Sequence, residues 1–507
     1  MEYDVVIGIE IHVQLKTKSK MFSASPNTYH MSPNSQTSLY DLSMPGTMPV
    51  VNMEAVRYAI KFGTALHMNI DRTLYFDRKN YFYPDLPKGY QITQQDHPIV
   101  SHGHLDVTLR DGTIKRIDVQ RAHLEEDTCK QTHLATMTLE DYNRCGVPLL
   151  EIVTEPCITC AEEAAKYVEG IREIVTFLGI SDGRMDEGSM RCDTNVSIKP
   201  KGSTVLGTKV EVKNINTVQN VEKAISFEIE RQKKLIESGG HVEQETRRFD
   251  EQLQETVLER KKTNAVDYKY FREPNIMPID LSEKFIQNAI DDMAELPWEF
   301  RKEFHDLGLD DYQTEQLMLD KKNVYYFKKC LAEKPLDAKI LWNLFMVGVM
   351  SYINKSEKDA ESDVLTLDTL KFTPRDLVDL ANEIKSGKIN SKQGKTVLDD
   401  MVLKGEKPSK SIEDHGFEQI SDTSTILPIV EQVIAAHQDV VDGWHHGKDR
   451  SLGYLVGQVM KESHGKANPV EAKKLILEKL VLWDRETNIK QLHEFKPCSC
   501  FFVSFYC

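Results

Sequence analysis

The chain has 507 residues, of which 79 are acidic and 64 are basic, so its formal net charge is −15. At about 150 residues per domain, this length predicts three domains. The charge excludes a protein that coats nucleic acid with its whole surface, so a phosphate backbone must be bound by a local basic patch. The composition, 40% hydrophobic and 28% charged, is typical of a soluble globular protein.

Membrane insertion and secretion are not expected. No apolar run reaches the about 20 residues of a membrane helix, and the start, MEYDVVIGIEIHVQL, lacks the basic and apolar regions of a signal peptide. We therefore expect a cytoplasmic protein. Among nine cysteines, Cys157 and Cys160 form a lone C-x-x-C without a second pair or histidines at finger spacing. This pattern favours reduced thiols over a zinc site.

The first part of the chain is predicted to be α+β. Apolar and polar residues alternate over 7–15, 191–199 and 209–213, which indicates half-buried strands that suit antiparallel pairing. Apolar residues recur at helical spacing over 160–179 and 217–238, and the two glycines after the second segment predict its end.

The rest of the chain is predicted to be helical, with a Lys-rich stretch that divides it. We expect domains at 1–293, 294–407 and 408–482, followed by an atypical Cys- and Phe-rich extension at 483–507. From Trp444 to Leu480 there are seven basic and four acidic residues, so this segment is locally positive. Such a helical tail suits contact with phosphates, although composition alone favours an ordinary solvated surface.

Glu10 and His12 lie two residues apart on the first predicted strand. Their side chains share one face about 7 Å apart, a reasonable spacing for two ligands of one cation. Further acidic residues are predicted on other strands or in one loop: Glu125, Glu126, Asp127, Asp193 and Glu211. Carboxylates with one imidazole suit Mg²⁺ or Mn²⁺. These spacings fit a metal site and an ordinary solvated acidic face equally well.

Basic residues accompany the same strands and could neutralise phosphate oxygens: Lys79, Lys88, Arg191 and Lys213. Taken singly, such residues are more often surface charges. The GKT at 394–396 lacks the first glycine of a phosphate-binding loop, since that position is Ile389. The sequence also contains no G-x-S-x-G or H-E-x-x-H motif, which disfavours a covalent hydrolase or a zinc protease.

Longer motifs carry a resemblance. In order, the chain contains VIGIEIHVQL, MPGTMPVVN, FDRKNYFYPDLPKGYQITQ, HLEEDTCK, DYNRCGVPLLEIVTEP, GSMRCDTNVSI, GTKVEVKNIN, QETRRFD and DYKYF, and later GKINSKQGKTVLDD and GYLVGQVMKESHGKANP. These blocks resemble the GatB family, the B subunits of the aspartyl/glutamyl-tRNA(Asn/Gln) amidotransferase, and the last two resemble its YqeY-like tail domain. The resemblance runs from residue 3 to about residue 480.

The resemblance implies an α+β cradle domain with a mixed sheet like the catalytic core of glutamine synthetase, followed by all-α helical and tail domains. It implies an enzyme that uses ATP to phosphorylate the side-chain carboxylate of Glu-tRNA(Gln) or Asp-tRNA(Asn). Ammonia from the amidase, which is the A subunit of the complex, would then displace the phosphate. A small C subunit would complete a heterotrimer, and the tail would bind tRNA. Which of the two tRNAs is the substrate stays open.

The same resemblance implies the site residues. The catalytic residues would be Glu10, His12 and Glu125. The metal ligands would be Glu10, His12, Glu125, Glu126, Asp193 and Glu211. The ATP-binding residues would be Lys79, Lys88, Arg191 and Lys213, whose individual roles are our inference. We expect ATP and Mg²⁺ or Mn²⁺, and no zinc, because residues 22–46 lack the cysteines that many relatives carry there.

Two other functions remain as alternatives. A non-catalytic tRNA-binding scaffold would account for a basic helical tail on an acidic body. A stand-alone ligase like glutamine synthetase would use free ammonia and a small acid without tRNA.

Overall fold

The structure is a computed structural model that describes residues 2–261, 267–358, 364–417, 423–445, 450–463 and 466–493. It divides the chain into two compact units, Met1–Phe300 and Arg301–Cys507. The further division at residue 407 stays a prediction. The predicted extension begins inside the last helix, and its residues 494–507 lie outside the described residues.

All strands of the described residues lie in the first unit. They are β1 (Tyr3–Gln14), β2 (Asn69–Ile70), β3 (Thr73–Leu74), β4 (Asp77–Asn80), β5 (Tyr90–Thr93), β6 (Val100–Thr108), β7 (Ile114–Glu126), β8 (Lys130–His133), β9 (Thr138–Asp141), β10 (Pro148–Thr154), β11 (Met190–Pro200), β12 (Val210–Ile215), β13 (Glu245–Asp250), β14 (Glu255–Lys261), β15 (Phe271–Arg272) and β16 (Ile279–Asp280). Four helices accompany them: α1 (Met53–Ala65), α2 (Ala161–Phe177), α3 (Val218–Glu237) and α4 (Glu283–Asp291).

Nine strands form one large sheet in the order β14-β13-β12-β11-β1-β10-β7-β6-β2. Its pairs are antiparallel except for β12 and β13, which run parallel. The alternating segments in β1, β11 and β12 pair with one another in the antiparallel manner that their pattern favoured, and the one parallel pair makes the sheet mixed. Parallel neighbours need a long crossover connection, and α3 lies in the chain between these two strands. The predicted combination of α+β structure with a mixed sheet is confirmed.

The sheet has one buried face and one polar face. On β1, Ile7, Ile9, Ile11 and Val13 are at most 1% exposed and belong to one core with residues of α1, α2 and α3. The alternate residues of β1 therefore point to the opposite face, because strand side chains alternate between faces. This placement leaves the polar face of the sheet for the site.

The helices α2 and α3 follow the predicted segments closely. The side chain of Thr217 accepts a hydrogen bond from the backbone of Asn220 and caps the start of α3. The helix ends just before Gly239, whose φ of +84° suits a residue without a side chain. The predicted glycine stop is therefore confirmed.

A segment without regular secondary structure joins β1 to α1, and the Asp41 side chain is the hub of its hydrogen bonds. The Asp41 carboxylate accepts hydrogen bonds from the hydroxyls of Ser25 (2.6 Å), Ser23 (2.9 Å) and Ser38 (3.1 Å). It also pairs with Lys20 at 3.3 Å, and both side chains are almost fully buried. This cysteine-free segment is thus fixed by hydrogen bonds and one buried ion pair.

The second unit is helical throughout its described part, as predicted. Its helices, with the one that crosses the division, are α5 (Pro297–Asp306), α6 (Asp311–Met318), α7 (Lys321–Ala332), α8 (Ala338–Trp342), a π-helical turn (Asn343–Val349), α9 (Met350–Ser356), α10 (Pro374–Lys385), α11 (Ser391–Lys404), α12 (Pro408–His415), α13 (Thr423–Ala436), α14 (Gln438–His445), α15 (Arg450–Glu462) and α16 (Pro469–His493). Among the described residues, no helix has the length and apolar character needed to cross a membrane.

Candidate metal and phosphate site

Three adjacent strands bring a histidine and two carboxylates together on the polar face. His12 of β1 lies opposite Glu151 of β10, and Glu151 lies opposite His123 of β7. Glu125 follows two residues later on β7 and therefore shares that face. The His12 Nε2 atom lies 3.4 Å from a carboxylate oxygen of Glu125 and 3.4 Å from one of Glu151. The ligand atoms of these three residues all lie within 4.8 Å of one another.

The donor set fits a small divalent cation. One imidazole nitrogen and two carboxylates converge, and such ligands suit Mg²⁺ or Mn²⁺. The Glu125 side chain is only 4% exposed, and that of Glu151 is 15% exposed. Burial, followed by the charge of Glu151, raises the pKa of Glu125. Two buried carboxylates this close are stabilised by positive charge between them.

Glu151 and Glu125 also change the pKa of His12. Burial by itself lowers the pKa of the imidazole, but the hydrogen bond to Glu151 and the charges of Glu151, Glu125 and Asp193 raise it to about 9. On the other side, Nε2 of His123 lies 3.3 Å from Glu151. The acids of the pocket therefore favour a positive charge at His12.

The sequence prediction did not single out Glu151 or His123. Glu151 is the one charged residue in the apolar run VPLLEIV, and a lone acid in a buried strand is a signal for a site. Its partner could not be read from the sequence, because the pairing of β1 with β10 joins residues far apart in the chain.

Three of the predicted metal ligands form a second acidic group on the same face. Glu10 lies opposite Asp193, and its carboxylate accepts a hydrogen bond from Asn195 at 2.9 Å. Lys213 lies 2.6 Å from Asp193 and 3.4 Å from Glu211. Burial alone would lower the pKa of Lys213, but Asp193 and Glu211 raise it strongly. The ammonium group of Lys213 thus neutralises this group.

Two other predicted phosphate-binding residues are held by carboxylates. Lys88 lies 2.5 Å from Glu126, and both side chains are nearly fully buried. The same Glu126 carboxylate accepts a hydrogen bond from the backbone of Ile92 at 3.0 Å. Arg191 makes an ion pair with buried Asp127. Burial alone would raise the pKa of the Asp127 carboxyl, but the charge of Arg191 leads the interactions that lower it. Glu126 therefore lies outside the His12, Glu125 and Glu151 group.

Lys79 differs from these residues. Within the described part of the chain, no carboxylate lies at ion-pair distance from it. Its ammonium instead lies 5.9 Å from the ring centroid of Tyr81 and 5.1 Å from that of Tyr268. Burial acts to lower its pKa, but Glu125 leads the groups that raise it. A cation in this position can bind an incoming anion beside the acids.

Comparisons with known proteins all identify the same family. A family model described as the GatB/GatE catalytic domain matches residues 5–287, and one described as the GatB domain matches residues 325–480. The chain is 42% identical over 481 residues to the aspartyl/glutamyl-tRNA(Asn/Gln) amidotransferase B subunit of Limosilactobacillus reuteri (strain DSM 20016), covering 95% of this chain and 99% of that protein. It is 44% identical over 487 residues to the protein of the same name from Ectopseudomonas mendocina (strain ymp), covering 95% and 100%.

Proposed function

Because the chain belongs to the GatB family, we propose that it is the subunit of a tRNA-dependent amidotransferase that turns misacylated Glu-tRNA(Gln) or Asp-tRNA(Asn) into Gln-tRNA(Gln) or Asn-tRNA(Asn). The observation that carries the proposal at the level of chemistry is the convergence of His12, Glu125 and Glu151 on the polar sheet face. Membership of the family supports the choice of substrate, and the geometry of these three side chains supports the location of the reaction.

The reaction needs activation because a carboxylate loses an oxide poorly. The side-chain carboxylate attacks the γ-phosphate of ATP, and the bond to ADP breaks, which leaves an acyl phosphate. Ammonia then attacks the acyl carbon, phosphate leaves with the bonding electrons, and a proton is lost to give the amide. A bound Mg²⁺ or Mn²⁺ would offset the charge of the transferred phosphate.

The residues divide this work between them. His12, Glu125 and Glu151 would hold the cation, and His123 would orient Glu151 through its 3.3 Å contact. Lys79 would bind a phosphate oxygen, since its ammonium is not neutralised by a described carboxylate.

Glu10, Asp193 and Glu211 would supply a second cation position, where Lys213 now lies. Glu126 and Asp127 would support the site by fixing Lys88 and Arg191.

The partners are also part of this proposal. The relatives carry the name of a subunit, and we propose that an amidase, the A subunit, supplies ammonia from glutamine and that a small C subunit completes a heterotrimer. We further propose that the first unit shares the catalytic core of glutamine synthetase. The helical tail, with its local positive charge over 444–480, would bind tRNA through phosphates.

The test uses the full chain produced together with its amidase partner and the small third protein of the heterotrimer. The complex is given Glu-tRNA(Gln) or Asp-tRNA(Asn), ATP and glutamine, and the formation of ADP and of amidated tRNA is measured. We expect both products with at least one tRNA. Neither product with either tRNA would contradict the proposal, and ADP formation without tRNA would favour the stand-alone ligase.

Matched variants separate catalysis from scaffolding. His12→Ala should abolish ADP formation and leave tRNA affinity nearly unchanged. Glu54→Gln, which changes an exposed acid at the start of α1, should leave both unchanged. If His12→Ala retained full activity, the cation would have to bind elsewhere.

A further inference from the structure

A cluster of aromatic rings lies beside the candidate site, and its members come from two distant parts of the chain. Lys79 lies in β4 and Tyr81 follows that strand, whereas Tyr268 and Tyr270 precede β15. The backbone N–H of Asn80 donates a hydrogen bond of 2.9 Å to the carbonyl of Tyr268. The pairing of β15 with β4 continues the same connection. The cluster, formed by Lys79, Tyr81, Tyr268 and Tyr270, is therefore held by backbone contacts.

The rings of this cluster meet edge to face. The centroids of Tyr81 and Tyr268 lie 6.0 Å apart with planes at 73°, and those of Tyr268 and Tyr270 lie 6.1 Å apart at 70°. In this arrangement one ring presents its edge and keeps its own faces for other partners. Tyr270 is 39% exposed, and the next residue, Phe271, is 49% exposed. The cluster thus offers aromatic surface to solvent and a cation beside two of its rings.

The cluster also borders the acids of the candidate site. Lys79 lies opposite Gln91 on β5, and the Gln91 side chain donates a hydrogen bond of 2.6 Å to the backbone carbonyl of Glu126, the residue after Glu125. The charges of Glu125 and Glu151 also contribute to the pKa of Lys79 and of Tyr270. A molecule stacked on the rings would therefore present its attached groups to the pocket that contains His12. Rings, a cation and a nearby acidic pocket match the chemistry of a nucleotide whose reactive group projects from its sugar.

We propose that the rings of the cluster stack the 3′-terminal base of the aminoacylated tRNA, beside the Lys79 ammonium that binds a phosphate oxygen of ATP in the proposed function. This inference rests on the proposed function, which requires the aminoacyl group, attached to the terminal ribose, to reach His12 and its neighbours. Single-stranded ends are bound by stacking on exposed aromatic side chains beside positive charge. The base of a small nucleotide such as ATP is instead usually enclosed by a pocket that covers most of it, which the exposed Tyr270 does not favour.

The test uses the complete heterotrimer and an uncharged tRNA with 2-aminopurine as its last base. Stacking quenches the fluorescence of this base, so the wild-type complex should quench it. Tyr268→Ala and Tyr270→Ala should lose the quench, whereas Tyr268→Phe and Tyr270→Phe should retain it. Each alanine variant should raise KM for the aminoacylated tRNA about tenfold, as expected for one lost stack, with KM for ATP unchanged.

Two controls accompany these variants. Tyr58→Ala removes a ring that packs against the core from α1, so it should lower the thermal stability but leave the quench unchanged. A probe in the acceptor stem should not respond to any cluster variant. Because the phenylalanine variants keep the ring, they remain informative if an alanine variant fails to fold.

The possible outcomes separate failure of the stacking subsite from failure of the proposed function. A quench that survives both alanine variants, or a rise in KM for ATP instead of tRNA, would overturn the subsite. Amidation without any quench by the wild-type complex would also overturn it and leave the proposed function standing. A quench that depends on the cluster in a complex that forms no amidated tRNA would support the subsite and count against the proposed function.

Discussion

Glu151 lies directly opposite His12 across neighbouring antiparallel strands, with 3.4 Å between its carboxylate and the imidazole Nε2. This pair defines the candidate cation pocket, because Glu125 approaches the same nitrogen from the next strand but one. The pocket thus depends on three strands that lie far apart in sequence. A change in any one of the three side chains tests whether the pocket binds metal.

The first prediction concerns Glu151, where a change to glutamine removes a ligand without removing volume. We expect Glu151→Gln to lower the affinity for Mn²⁺ by more than about a hundredfold, because even partners outside the ligand shell contribute ten- to hundredfold. Mn²⁺ titration followed by electron paramagnetic resonance measures this affinity. Glu54→Gln is the control, and equal Mn²⁺ affinity in the two variants would exclude Glu151 as a ligand.

The second prediction separates a structural role of Lys88 from a role in ATP binding. Its ion pair with Glu126 is almost fully buried, so Lys88→Ala leaves a buried unpaired carboxylate and should lower the free energy of unfolding by about 3–5 kcal/mol. The double variant Lys88→Met with Glu126→Leu should recover most of that stability. Chemical denaturation measures both effects.

ATP kinetics complete that comparison. If the recovered double variant also regains the wild-type KM for ATP, the role of Lys88 is structural. If the stability returns but KM for ATP stays high, Lys88 binds the nucleotide as the sequence predicted.

The polar face of β1 could be predicted from the sequence, but its partners could not. Period-two alternation places Glu10 and His12 on one face whatever the neighbouring strands are. The register that brings Glu151 to His12 instead of to Glu10 depends on long-range pairing, and a shift by one residue would invert the faces. The alternation on β1 therefore placed His12 on the face of the pocket, but it did not identify Glu151 as its partner.

The sequence likewise does not show which of the basic residues are already paired with carboxylates. Lys88, Arg191 and Lys213 resemble Lys79 as candidate phosphate ligands because they occur in neighbouring motifs. The structure pairs the first three with carboxylates, which depends on which strands and loops meet in the fold. A sequence shows that a cation is present, but only the tertiary structure shows whether its charge is already neutralised.

The third prediction concerns the cysteine-free segment before α1. Asp41 is buried with Lys20, so Asp41→Ala should lower the free energy of unfolding by about 3–5 kcal/mol by leaving the ammonium unpaired. Ser23→Ala removes one hydrogen bond to Asp41 and should lower it by only about 1 kcal/mol. Thermal or chemical denaturation of the full chain measures the difference.

The fourth prediction is that chelation does not affect this segment. The Asp41 network uses hydroxyl groups and one ion pair, so treatment with a zinc chelator should leave hydrogen exchange in residues 19–48 unchanged. An increase in exchange there after chelation would reveal a structural metal and contradict the expectation of no zinc.

The last prediction concerns acid stability in the second unit, where Asp400 joins α11 to α12. Its carboxylate lies 2.7 Å from the Ser411 hydroxyl and 2.8 Å from Nε2 of His415. Hydrogen bonds from Lys404, Ser411 and His415 outweigh burial and lower its pKa from 3.8 to about 2. The folded state therefore binds this proton more weakly than the unfolded state. The resulting stabilisation is complete above the ordinary pKa near 3.8 and is lost as the pH falls towards about 2.

Hydrogen exchange of the α11 and α12 amides measures this effect in the full chain. Asp400→Asn should speed exchange there at neutral pH and remove the part of the acid sensitivity that lies between about pH 4 and pH 2. Asp379→Asn changes an exposed acid on the neighbouring helix α10 and should alter neither property. Acid sensitivity that persisted in Asp400→Asn would assign the titration to another group, since the amide cannot take up the proton that Asp400 binds.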